Sequence, residues 1–120
     1  MKVKVVHLED IEKIDLGGGS WAKELLTEKT VGTQKAMLAV SVFKPGTGTA
    51  ARIHEEEELC YILQGTGVIE CEQEKVEVRK GMAVFIPKGV KHGVKNTGNE
   101  DLSMVYVFSY PKYPPTKIAE

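Results

Sequence analysis

The chain has 120 residues, 42% of them apolar and 28% charged, with a formal net charge of −1. That length suits one globular domain, residues 1–120, and leaves no room for a second core. Lysine and arginine are scattered among acids, so no basic stripe offers itself to nucleic acid or to a membrane surface, and two cysteines, Cys60 and Cys71, are too few for a secreted disulfide framework.

The opening MKVKVVHLED alternates charge with valine and lacks the apolar block of a signal peptide, which points to a cytoplasmic chain. His7 belongs to this exposed start. LGGGSW reads as loop. WAKELLTEK reads as an early strand, with a helix as the alternative because Trp21, Leu25 and Leu26 fall at helical spacing. Ala36 to Phe43 is a β-rich run closed by Lys44-Pro45-Gly46, and its eight residues are far short of a bilayer span.

Leu59 to Leu63 forms the next strand, and Val68 to Cys71 the one after it. Gly65-Thr66 between them suits a two-residue hairpin turn, because glycine supplies positive φ. In that hairpin Gln64 faces Gly67, Ile62 faces Ile69, and Cys60 falls opposite Cys71 on the side of Glu58. A disulfide is geometrically open to them, but two reduced thiols are the expectation in cytosol. KVEVRKG alternates strictly, MAVFIP is short and apolar, PKGVKHG turns, and Leu102 to Ser109 makes a final strand.

Val40, Val42, Leu59, Ile62, Ile69, Val84, Ile86, Val105 and Val107 are the expected fillers of barrel and sheet faces, with Trp21 and Tyr110 covering an edge or an interface. The proline-rich ending YPKYPPTKIAE reads as extended. Short strands at near-regular spacing with glycine or proline between them argue for an all-β sandwich or barrel.

Two blocks of polar residues and glycines stand out. The first runs Gly46, five residues, Arg52, one residue, His54, three residues, Glu58, six residues, Gly65. The second runs Gly81, five residues, Pro87, Lys88, Gly89, two residues, His92, three residues, Asn96. Side chains two apart on a strand share a face, so Arg52 and His54 point the same way, Glu58 joins them beyond the solvated turn Glu55 to Glu57, and His92 follows a tight Pro87-Lys88-Gly89 turn. In a closed barrel these groups can converge. Two imidazoles and a carboxylate are the facial donor set for a divalent transition metal.

The two blocks resemble the paired motifs of the cupin superfamily, G-x5-H-x-H-x3-E-x6-G and G-x5-P-x-G-x2-H-x3-N. Every fixed position of the second is matched, and every one of the first except its leading histidine, which is Arg52 here. The resemblance implies a double-stranded β-helix (jelly-roll barrel) with motif core 46–96, N-terminal strands in 1–45, and a C-terminal strand and tail in 97–120. It also implies a homodimer.

For function it implies a small-molecule enzyme of oxygenase, decarboxylase or isomerase type, acting on a small acid or sugar. A divalent metal (Fe, Mn, Ni, Cu or Zn) would sit on His54, Glu58 and His92, with Arg52, His54 and His92 as catalytic candidates. The alternatives are a non-catalytic ligand-binding or sensor domain, and a metal-free isomerase or epimerase with a histidine base. Arg52 decides among them, since guanidinium stays protonated and cannot ligate a cation. It can swing out, clamp an anionic group of a ligand, or pair with Glu58 and exclude metal. Asn96 reads as a turn or backbone-bonding residue.

Overall fold

The structure, a computed structural model, describes residues 2–119. After one 3-10 turn at Leu8–Asp10, the regular structure among the described residues is β: β1 Ile14–Gly17, β2 Ser20–Leu26, β3 Met37–Phe43, β4 Arg52–His54, β5 Glu58–Gln64 and β6 Thr66–Cys71. It continues with β7 Lys75–Arg79, β8 Ala83–Ile86, β9 His92–Asn96, β10 Leu102–Phe108 and β11 Thr116–Ile118. One sheet has the order β1-β2-β3-β10-β5-β8 and the other β11-β4-β9-β6-β7. Neighbouring strands are antiparallel. Among the described residues no helix is long and apolar enough to cross a membrane.

Alternation along the strands makes the core. On β10 Leu102, Met104, Tyr106 and Phe108 are buried; on β3 it is Met37, Ala39, Ser41 and Phe43. Register then stacks them: Phe108 lies opposite both Met37 and Glu58, and Met104 opposite both Ser41 and Ile62. The second sheet adds Ile69 and Val78 to the same packing as Ile62, Leu102 and Met104.

The strand reading of WAKELLTEK holds, because Ser20 and Ala22 are buried at the period of a strand. The glycine loop narrows to Gly18-Gly19, the link of the β1–β2 hairpin. Of the expected core, Val42, Ile62, Ile69 and Ile86 are buried, whereas Leu59 faces outward. Glu58 points inward, so strand parity turns Leu59, Tyr61 and Leu63 out. Asn96 bonds backbone, its Nδ2 donating to the carbonyls of Phe43 and Glu100.

The hairpin expected at Gly65-Thr66 is absent. β5 and β6 lie in different sheets, and Gly65 alone joins them, with φ of 86°. A one-residue corner cannot bring the two strands side by side. Cys60 therefore pairs with Tyr106 and Val84, Cys71 pairs with His92, and both thiols are free. A Cβ on Gly65 would run into the Asp101 carbonyl oxygen. Gly65→Ala is expected to destabilise the fold by about 2–4 kcal/mol in urea unfolding, from left-handed backbone strain plus the clash; a loss below about 0.5 kcal/mol, within ordinary surface variation, would contradict this role.

Candidate metal centre

His54 ends β4, Glu58 opens β5 and His92 opens β9, so donors from both sheets meet. The expected turn at Glu55–Glu57 carries the chain from one sheet to the other. The Pro87-Lys88-Gly89 turn is tied to the same place, since the Gly89 amide donates to the His54 carbonyl oxygen at 2.9 Å. All three side chains are buried: His54 and His92 are 5% exposed and Glu58 8%.

Glu58 Oε1 lies 3.5 Å from His54 Nε2 and 3.4 Å from His92 Nε2, and a ligand atom from each residue falls within 4.8 Å of the other two. The second oxygen, Oε2, accepts the Cys60 thiol at 3.1 Å. Burial, followed by the Glu58 charge and hydrogen bond, pushes that thiol far up, so it stays a donor.

The remaining hydrogen bonds fix which ring nitrogen faces the carboxylate. His92 Nδ1 donates to the Val90 carbonyl oxygen at 3.0 Å, which leaves Nε2 as the lone-pair atom of the neutral ring. His54 Nδ1 lies 2.8 Å from Thr116 Oγ1, and that hydroxyl donates to the Pro114 carbonyl oxygen at 2.8 Å. Having given its proton to Pro114, the hydroxyl can only accept from His54. His54 therefore also carries its proton on Nδ1 and turns its Nε2 lone pair towards Glu58. Edge-on contacts from Phe108 and Tyr113 hold the His54 ring.

The two imidazoles titrate apart. Burial lowers the His54 pKa, helped by the charges of His92 and Arg52 and only partly offset by Glu58. At His92 burial is the largest single influence and also disfavours the cation. It is outweighed by the hydrogen bond to Glu58, the bond to Val90 and the Glu58 charge, and the net shift is upward.

Arg52 lies inside, on the same face as His54 and directly across from His92. Its Nη1 donates to the Tyr113 hydroxyl at 3.0 Å, its Nε is buried without a hydrogen-bond partner, and no ion pair joins it to Glu58. Of the three dispositions open to it, the structure has the inward one without the Glu58 pair. The cluster opens onto a cavity of about 400 Å³, also lined by Glu24, Tyr106 and Tyr113. Thr116, Tyr113 and Glu24 escaped the sequence reading, since their places depend on which strands become neighbours. Of the acidic run, Glu56 accepts from Ser109 at 3.3 Å, and His7 is exposed as expected.

Residues 39–108 match the family model described as Cupin domain. The chain is a cupin. An uncharacterized protein of Methanocaldococcus jannaschii, MJ1618, is 33% identical over 114 residues, which is 94% of this cupin and 90% of the relative. Among solved structures, a predicted oxalate decarboxylase of Thermotoga maritima is 28% identical with a TM-score of 0.75, the match covering 89% of this chain and 99% of that one. The polyketide cyclase RemF of Streptomyces resistomycificus superposes with a TM-score of 0.84 over 99% of this chain and 87% of its own, at 22% identity, a likeness of fold.

Long-range ¹H–¹⁵N spectra of the cupin at about pH 8.5, where histidine is neutral, are expected to show the Nδ1–H form at both His54 and His92. Thr116→Val should convert His54 to a tautomer mixture and leave His92 unchanged. On acidification His92 should protonate first, at a pH above that of free histidine, and His54 below it. The reverse order, or a His54 indifferent to Thr116→Val, would refute this account of the ring nitrogens.

Proposed function

We propose that this cupin is a small-molecule metalloenzyme in which His54, Glu58 and His92 hold a divalent transition metal and Arg52 binds an anionic group of the substrate. The observation that carries this reading is the convergence of two imidazole lone pairs and one carboxylate oxygen on a single buried point. Three acceptors brought together out of water repel one another unless a cation lies among them. Two histidines and a carboxylate suit iron, manganese, nickel, copper or zinc. When bound, such an ion would supply Lewis acidity or activate dioxygen, the chemistry of oxygenases, decarboxylases and isomerases.

The chain's own residues prepare that chemistry. Thr116 and Val90 keep the Nε2 atoms available, and Cys60 occupies the carboxylate oxygen that faces away from the imidazoles. Arg52 supplies a permanent charge beside them, where a substrate oxyanion is both neutralised and oriented. The open cavity next to the donors leaves room for a substrate, which favours turnover over a sealed binding site.

A metal-free reading draws on a different observation. Arg52 brings a cation to the position where the family pattern has histidine, and the His92 Nε2 lone pair, set by the Nδ1 bond to Val90, can take a proton that Glu58 at 3.4 Å then stabilises. Elemental analysis separates the two. Protein purified without an affinity tag is expected to carry or take up about one ion per chain, with Glu58→Gln weakening binding by roughly 100-fold and Arg52→His tightening it about tenfold. Metal well below one equivalent after reconstitution would remove the first reading and leave the His92 base.

The dimer is proposed on the outer face of the first sheet. Leu59, Tyr61, Leu63 and Phe85 are 46%, 47%, 44% and 60% exposed, and Leu59 sits directly across from Phe85. So many large apolar groups on one face suit burial against a second copy. Light scattering is expected to give twice the chain mass and Phe85→Glu a monomer; a wild-type monomer at micromolar concentration would rule the dimer out.

A further inference from the structure

Strand register orders the lining of the cavity into layers. The first is Phe108 beside Glu58 and His54. One step along β10, Tyr106 lies across from Ala39, whose other neighbour is Glu24. The next step aligns Met104, Ser41, Ala22 and Ile14 across four strands, and Phe43 and Leu16 lie beyond. At ~3.3 Å per residue, Phe108 to Met104 alone spans about 13 Å. The donors thus occupy one end of an elongated chamber whose far part is mostly apolar, with Ser41 the polar side chain in the Met104 layer.

Two charged groups in this chamber have polar atoms without partners among the described residues. The Arg52 Nε is a buried donor with no acceptor. Glu24 is a half-buried acid that no hydrogen bond or ion pair engages among the described residues. A buried donor left unmade is costly, and a ligand that completes it recovers that cost. About 400 Å³ is a volume that encloses a ring-bearing molecule rather than a two-carbon acid.

We propose that the cavity takes an amphiphilic acid: an oxyanion for Arg52 at the donor end, a hydroxyl for Glu24, and an apolar ring body seated among Ile14, Leu16, Ala22, Phe43, Val94 and Met104. The inference rests on the reading of His54, Glu58 and His92 as the reacting end. A small dicarboxylate would meet Arg52 but leave the apolar part unfilled, forgoing the burial that gives such a site its affinity. Ile14, Leu16, Ala22 and Glu24 belong to β1 and β2, outside residues 39–108 that match the family. The N-terminal hairpin is therefore the specificity element of this chain.

Calorimetric titration of 1-hydroxy-2-naphthoate and of oxalate, each into metal-free and manganese-loaded protein with metal content measured on the same samples, tests this. The naphthoate is expected to bind at least about tenfold more tightly than oxalate. Ile14→Trp and Leu16→Trp, both on the edge strand β1 where a larger side chain is tolerated, should weaken the naphthoate by about tenfold or more while oxalate binding and metal content stay within about twofold. Arg52→Gln should weaken both acids. Oxalate binding as tightly as the naphthoate, or tryptophan variants that bind the naphthoate like the wild type, would overturn the proposal. Preference for the naphthoate in protein that takes up no metal would sink only the metal reading.

Discussion

Two imidazole lone pairs and a carboxylate oxygen aimed at one buried point form the constraint on which the site depends. Left to themselves, histidine rings would turn an N–H towards the carboxylate. Here both Nδ1 atoms are already committed, to the Thr116 hydroxyl and the Val90 carbonyl, so each neutral ring has only a lone pair to offer Glu58. The arrangement is tolerable only with positive charge in its midst. A proton on His92 is one answer, and the upward shift of that imidazole reflects it. A divalent ion, as proposed, would be the other, and would satisfy all three groups together.

Much of the fold was legible because alternation is local: β3, β5, β7 and β10 each announce themselves within a few residues. The partner of each strand is not local. Gly65 has the positive φ that suits a hairpin equally well, and only its approach to the Asp101 carbonyl, far along the chain, shows that it is a corner between sheets. Leu59 looked like core by composition, yet the inward turn of Glu58 sends it to the surface. At the site, His54, Glu58 and His92 were readable from their spacing. Thr116 was not, because it matters only once β11 has paired with β4 and placed it opposite His54.

The chain divides its labour along its length. The stretch that matches the family supplies the donors and Arg52, and its strands form most of both sheets. The flanking segments add to what lies around the donors: part of the far wall from β1 and β2, and the brace of Tyr113 and Thr116 from the tail. A likeness in the central stretch therefore speaks to the shape of the barrel and its donor set, and much less to which molecule enters.

Glu58 is carried by one sheet, His54 and His92 by the other. Whatever charge they share acts as a clasp between the two walls of the sandwich, and its grip is a matter of supply. With an ion held there as proposed, the free energy that keeps the walls together would rise with the ion's concentration by mass action, and a starved molecule would breathe more readily at the Glu55–Glu57 crossing than a replete one. Under that proposal, scarcity in the surroundings would shorten the lifetime of the fold itself.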